Sequence, residues 1–265
     1  MAVDSFQGST KYNSTALTDD IIGVVPFEWI KNNNPVSDVH WARLTNITDP
    51  LIRTYITGPI PLADFTGNPA DWNGTQPLVY AVGRNDASGT RVAAFADSLF
   101  GIFSAPAQYD ISAGPTLTLD SHPDATGVVH TDGTQGYISG GDVAAAMSIG
   151  GSGAATDPFT GGSGWYAIAY VGISDANTAI AGGAAALTYN GVAYTPANVQ
   201  NGEYGFWGYE HILSFPTLNS YDLYFKNQLK TALLTGTFET DSGAGFETST
   251  MNVQRTGDGA DPTHL

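Results

Sequence analysis

Apolar positions along the chain fall into short runs separated by polar and glycine-rich stretches. Residues 1–19 are polar and turn-rich, and Ile21-Ile22-Gly23-Val24-Val25-Pro26-Phe27 then reads as a short buried strand. Asn32-Asn33-Asn34-Pro35 marks a loop. Thr48-Asp49-Pro50 predicts a short helix, capped by Thr48 or Asp49 with Pro50 in its first turn. It carries Leu51, Ile52, Tyr55 and Ile56 and stops at Gly58. Residues 59–76 are loop-rich. Leu78 to Gly83 is a strong strand pattern. Gly89 to Phe100 predicts a helix with Val92, Phe95, Ala96 and Leu99 on one face and Gly101 as its stop.

Residues 104–140 read as strand and loop, and Gly141 to Ile149 as a helix. Gly150-Gly151-Ser152-Gly153 and Gly161-Gly162-Ser163-Gly164 define a Gly/Ser-rich stretch expected to be flexible. Tyr166 to Val171 is a second buried strand, followed by a helix around Asp175–Ala181 and a hairpin through Asn190-Gly191. Glu203 to Phe215 alternates as a strand, with Phe206, Tyr209 and Ile212 prominent. Leu218 to Leu234 has the most regular helical period, with Tyr221, Tyr224, Phe225, Leu229 and Leu233 at steps of three and four. Gly236 is its expected stop, and the polar tail over 240–265 holds a short strand at Met251–Gln254. There is no solenoid repeat. Strands alternating with helices indicate an α/β fold.

A chain of 265 residues suits one large domain or two small lobes, and 42% hydrophobic residues make it globular. Charge narrows the partners. With 25 acidic against 9 basic residues the formal net charge is −16, which argues against nucleic acid and against docking on anionic lipid. If the ligand is an anion, local dipoles and a buried arginine must attract it against the global field. The absence of cysteine excludes disulfides, thiolate metal sites and Cys nucleophiles. Abundant Gly, Thr, Asn and Ala with scarce Lys suit a periplasmic, cell-surface or secreted protein. No run approaches the ~18 apolar residues of a membrane-spanning helix. Met1-Ala2-Val3-Asp4 is not a signal-peptide pattern, so any export signal is expected to lie outside this sequence. The acceptor-like triplets at Asn13, Asn46 and Asn73 read as turn residues.

The unit that carries chemistry is Arg84-Asn85-Asp86-Ala87-Ser88-Gly89-Thr90-Arg91, between the strand at 78–83 and the helix at 89–100. A helix N-terminus offers unpaired N–H groups and about half a positive charge. Gly89 permits close approach to the backbone, Ser88 and Thr90 add hydroxyl donors, and Arg84 can present a planar fork to two oxygens. That set suits a tetrahedral oxyanion without a metal. The plainer alternative stays open: Ser88 as a helix cap and Arg84 paired with a neighbouring carboxylate.

Arg-x-x-x-Ser-Gly-Thr between a strand and a helix resembles the phosphate-binding signature of the phosphate-type, PstS-like periplasmic solute-binding proteins of ABC transporters. Other segments agree in order. Asp4-Ser5-Phe6-Gln7 resembles the family's Asp-containing segment before the first hinge crossing, and Gly23 to Phe27 its hinge strand. Leu44 to Gly67 resembles the stretch before the signature, Gly164 to Val171 is similar to the family's Gly-Tyr-Val strand, and Asn201 to Tyr204 resembles the return segment. The resemblance implies a type 2 periplasmic-binding-protein-like α/β fold. One nearly complete lobe would span 24–203, and an incomplete second lobe would come from 1–23 and 204–265. It also implies phosphate or a similar oxyanion as ligand, an ABC permease as partner, no cofactor and no enzymatic activity. Carried over by position, Arg84, Ser88, Gly89 and Thr90 contact the anion. Asp4 accepts a hydrogen bond from a protonated phosphate, and Asp86 holds the Arg84 fork in place.

The family's long N-terminal segment, with its Gly-Ser-Thr-type loop, has no counterpart here. Gln7-Gly8-Ser9-Thr10 follows Asp4 instead of preceding it. An incomplete sheet exposes strand edges, and such edges invite another chain. Three explanations stay open: a truncated product, a segment supplied by another chain, or, as the rival reading, a structural or self-assembling surface or filament protein built on a solute-binding fold that has lost its ligand. Other chemistry is thinner. His40, His122, His130, His211 and His264 show no ligand spacing, and the Asp120, Asp124 and Asp132 carboxylates near His122 and His130 read as solvated loop residues. Asp258 and Asp261 fall short of a calcium loop. Gly150 to Ala154 is a near miss for a nucleophile elbow. Trp165, Tyr166, Trp207 and Tyr209 read as core, not as a sugar platform.

Overall fold

The structure is a computed structural model that describes residues 17–34, 37–75, 77–124, 126–151, 156–235 and 245–265. It divides into two compact units, one formed by residues 1–26 with 195–265 and the other by 27–194. The first strand, β1 (Thr18–Lys31), contributes to both. It is twice the length of the predicted run, because Thr18-Asp19-Asp20 precede that run as strand and Glu28-Trp29-Ile30-Lys31, all buried, continue it.

In the larger unit the elements follow in order: α1 (Val39–Arg43), β2 (Asn46–Ile47), α2 (Asp49–Tyr55), β3 (Ile60–Pro61), α3 (Leu62–Thr66), β4 (Leu78–Val82), α4 (Gly89–Asp97), β5 (Tyr109–Ser112), β6 (Thr116–Leu119), α5 (Gly140–Met147), β7 (Tyr166–Gly172), α6 (Ile173–Ala181), β8 (Ala185–Ala186) and β9 (Thr188–Tyr189). The main sheet of this unit runs β8-β1-β7-β4-β3. Within it β4 and β7 are parallel, with Tyr80 beside Ala167 and Val82 beside Ala169. Parallel central strands are covered on both faces and read as unbroken apolar runs, as Leu78–Val82 and Tyr166–Val171 do. Tyr80, Val82, Trp165, Ala167, Val143 and Met147 form the heart of one core cluster. Trp165 and Tyr166 are buried, in keeping with a core role.

The smaller unit pairs residues 18–26 of β1 with β10 (Trp207–Ser214), antiparallel, with a bulge between Ile21 and Gly23. It adds α7 (Pro196–Gln200), α8 (Ser220–Thr235), and the short pair β11 (Val253–Gln254) and β12 (Thr263–His264). Arg255 is its internal tie. The guanidinium stacks 4.1 Å over the Trp207 ring and donates to the carbonyls of Trp207 and Gly205. Trp207 is fully buried and Tyr209 half-buried.

Two local expectations change. The stretch at 59–76 contains α3 and a 3-10 turn at Pro69–Asp71, both too short to leave a periodic signature. Helix α4 ends at Asp97, so Leu99 takes φ 57° and stands exposed instead of joining the apolar face. The Asn190-Gly191 hairpin appears as expected, both residues having positive φ and Tyr189 bridging Val192.

Glu28 sits in this apolar setting beside Val171, and burial pushes its carboxyl up to about 7 from an ordinary 4.5. The unfolded chain releases the proton first, so stability should fall as pH rises from about 4.5 to about 7 and level off above. Glu28→Gln should flatten that slope and gain on the order of 1–3 kcal/mol over the parent at pH 8 relative to pH 4. Urea denaturation across pH measures it, and parallel curves for the two proteins would refute it.

Candidate functional site

The site grows out of the end of β4. Gly83 follows the strand, and a Cβ there would lie 2.6 Å from the Tyr170 ring carbon that bears the hydroxyl, and would also strike Gln108. Only glycine lets the backbone pass. The next residues pair with a second segment: Tyr137 N–H donates to Gly83 O at 2.9 Å and Asn85 N–H to Tyr137 O at 3.1 Å. Gly136, at φ 143°, brings that segment in, since a Cβ there would stand 2.6 Å from Gly83 O.

A buried polar network fixes the turn. Tyr170 Oη accepts from Arg84 N–H at 3.3 Å and donates to Gln108 Oε1 at 2.7 Å. Gln108 Nε2 donates to Arg84 O at 3.1 Å and to Gln135 O. From the first turn of α4, the buried Arg91 sends Nη1 to Arg84 O, Thr134 O and Gln135 O at 3.2, 2.9 and 3.2 Å. Asp86 N–H donates to Gln135 Oε1 at 3.3 Å. Burial pushes the Tyr170 phenol up to about 12, so it stays a neutral donor and acceptor.

This scaffold presents the N-terminus of α4. Ser88 is the cap, its Oγ accepting from Arg91 N–H at 3.4 Å. Gly89 is exposed, with open space on the side where a Cβ would project, and Thr90 is half-buried. Among the described residues, no acceptor is assigned to the backbone N–H of Gly89 or of Thr90. Two orphan donors and a capping hydroxyl therefore stand together at the positive end of the helix.

Arg84 takes a different course. Its Nε donates to Tyr137 O at 3.2 Å and its Nη2 to Ile138 O at 2.8 Å. Its Nη1 lies 3.5 Å from where a Cβ on Gly140 would stand, and the same Cβ would collide with the Asp175 carboxylate. Burial lowers the guanidinium pKa from its ordinary value, while Tyr170, Asp175 and Asp142 pull it back. Burial in turn raises the Asp175 pKa, against the pull of Arg84. The sequence reading gave Asp86 the task of orienting the fork, whereas the described hydrogen bonds of the guanidinium go to the Tyr137 and Ile138 carbonyls. Asp4, the expected acceptor for a protonated ligand, lies outside the described residues, as do Gln7 to Thr10, residues 152–155 and Gly236.

Tyr170, Gln108, Gln135, Tyr137, Arg91 and Asp175 carry the support; Arg91 closed the unit read from the sequence but had no role assigned, and the other five were not singled out. A tyrosine inside an otherwise apolar strand was the one available signal, since a buried phenol must find a partner. Elsewhere, donor atoms of Asp110, Asp120 and His122 come within 4.8 Å of one another. His122 Nδ1 stands 2.5 Å from Asp120 and 3.2 Å from Asp110, so the imidazole already bridges the pair. Burial and the neighbouring Asp120 push the Asp110 carboxyl up to about 7. A cavity of about 480 Å³, lined by His122, Tyr137, Ile138, Asp142 and Ile149 among others, adjoins them.

Gly83→Ala is expected to cost about 1–3 kcal/mol of stability through overpacking against Tyr170 and Gln108. Tyr170→Phe should cost about 1–3 kcal/mol, because it strands the Gln108 acceptor and the Arg84 N–H in the interior. Denaturant titration of each variant is the check, and unchanged midpoints would show that the turn does not depend on this network.

The chain matches no protein-family model and no curated protein. Solved structures do match. One, from Clostridium perfringens, is described as a phosphate ABC transporter substrate-binding protein with bound phosphate: 17% identity, TM-score 0.53, covering 91% of this chain and 75% of that one. Another, an ABC-type phosphate transport receptor from Vibrio cholerae, matches at 12% identity and TM-score 0.50, covering 89% of this chain and 75% of that one. The chain therefore has the fold of the phosphate-type substrate-binding proteins of ABC transporters.

Proposed function

We propose that this protein acts outside the cytoplasm as a solute-binding protein, holding phosphate or a similar oxyanion at the N-terminus of α4. It works by binding and not by catalysis, and an ABC permease is the partner this role calls for. The observation that carries the reading is that the Gly89 and Thr90 N–H groups have no acceptor among the described residues, beside the Ser88 cap at an open helix end. The bound phosphate of the Clostridium perfringens protein supports the choice of ligand. No helix among the described residues is long and apolar enough to cross a membrane.

Each residue has a physical task in this reading. Gly89 leaves room for an oxygen against the backbone, and Ser88 and Thr90 donate to it. Arg84, tied to two carbonyls, contributes its charge and its Nη1 edge. Asp86 sits in the turn, where its N–H bond to Gln135 helps to hold the loop beside the helix end. Asp4 supplies the acceptor-only group that favours a protonated phosphate over sulfate, whose oxygens would face its lone pairs.

Calorimetric titration of protein freed of bound anion, with phosphate and with sulfate, tests this. Phosphate should release or absorb heat and sulfate should bind more weakly. Arg84→Ala should lose about 2–5 kcal/mol of binding, as for a truncated buried charge. Absence of heat with both anions would end the binding role.

A further inference from the structure

We propose that Asp110, Asp120 and His122 form a site for one divalent cation of the zinc class. Strand β5 brings Asp110, and the segment just past β6 brings Asp120 and His122. Asp120 is wholly buried, so it is not the solvated loop residue that the sequence suggests. Its Oδ2 accepts from His122 N–H, and Asp110 Oδ2 accepts from Ser121 N–H, each at 3.4 Å. Oδ1 of each carboxylate is left beside His122 Nδ1, and ligand atoms of the three residues all lie within 4.8 Å of one another. His122 Nδ1 carries at most one proton, and Asp120 Oδ1 stands 2.5 Å from it. Asp110 Oδ1, 3.2 Å from the same nitrogen, is closed to solvent and receives no hydrogen bond. A buried acceptor without a donor, beside a second carboxylate, calls for a cation.

The donor set selects the ion. One imidazole with two carboxylates suits Zn²⁺ and its neighbours, whereas Mg²⁺ and Ca²⁺ take larger sets of oxygen ligands. Tetrahedral bonds of about 2.0–2.2 Å put ligand atoms roughly 3.3–3.5 Å apart. The 3.2 Å between His122 and Asp110 is close to that spacing. The 2.5 Å pair of His122 and Asp120 opens when the metal displaces the shared proton. Tyr137 braces the imidazole, with ring centroids 4.9 Å apart, and its own hydroxyl is held by the backbone of Ile111. His122 also lines the cavity of about 480 Å³, which offers the ion a way in and room for a water as fourth ligand. Behind the site, Asp120 N–H donates to Gln108 O at 3.0 Å and Gly133 N–H donates to Asp120 O at 3.3 Å. A filled site therefore braces the layer that holds the turn before α4.

Equilibrium dialysis of the full chain, stripped with a chelator and then exposed separately to Zn²⁺, Mg²⁺ and Ca²⁺, is the test, with bound metal read by elemental analysis. The expected result is one Zn²⁺ held per chain, with Mg²⁺ and Ca²⁺ washed out, and a melting temperature that rises with Zn²⁺. Asp120→Asn and His122→Ala should each weaken Zn²⁺ binding at least about 100-fold, the upper end of what loss of a group merely supporting a ligand costs. His130→Ala, a nearby imidazole outside the cluster, should leave binding unchanged. Should Asp120→Asn fail to keep the parent's circular dichroism, Asp110→Asn serves in its place. A parent chain that retains no Zn²⁺, or Zn²⁺ held equally well by the carboxylate and His122 variants, would overturn the proposal. Loss of binding in His130→Ala would overturn it too, by placing the ion elsewhere.

Discussion

The turn between β4 and α4 depends on one constraint: a backbone crossing too tight for side chains must satisfy its polar groups without water. Gly83 and Gly136 give the space, and the amide of Gln108 fills the remaining gap. Its two ends divide the work, Oε1 taking the Tyr170 hydroxyl and Nε2 reaching the carbonyls of Arg84 and Gln135. Such a network is rigid when complete, because each member left alone would face a desolvation cost. The α4 terminus inherits that rigidity. The Gly89 and Thr90 N–H groups have no acceptor among the described residues, and the turn beneath them is held by Tyr170, Gln108 and Arg91.

Charge is deployed with the same economy. Of the nine Lys and Arg residues, those the structure describes most fully point inward. Arg91 binds three carbonyls, Arg255 two, Lys31 reaches Trp41 O at 2.6 Å, and Arg43 clamps the buried Asp71 beside His40. Few cations remain to counter the acids that stay at the surface. An anion approaching this molecule meets repulsion until it is close enough for oriented N–H dipoles to dominate, which favours a small ligand seated against backbone over a large polyanion.

The strands at 78–82 and 166–172 were legible because parallel strands buried on both faces must be apolar throughout, and the Asn-Gly turn because few residues tolerate positive φ. The helix cap at Ser88 and the open glycine beside it were also readable, as a local pattern of three residues. What sequence could not give was the partnership of distant groups. Tyr137 and Ile138 take the Arg84 fork by carbonyls, and carbonyls belong to every residue, so no composition or spacing marks them. Asp86 looked like the natural partner because it was near in sequence, whereas the fork is set by a segment some fifty residues on. Gln108 lies in a stretch with no motif at all.

Helix α8 marks the limit of periodicity as a guide. Its steps of three and four correctly foretold a helix and an apolar face, since both follow from the 3.6-residue turn. Which way the face points is a separate question, decided by what lies beneath. Here Asp20 on β1 attracts Lys226 and Lys230, and two ion pairs on one carboxylate orient the helix against the preference of its aromatic stripe. Partly exposed ion pairs of this kind are worth little individually, of order 1 kcal/mol each. Burying even one of the exposed aromatic side chains would be worth more. The two ion pairs alone therefore do not account for a stripe left this exposed on its own unit.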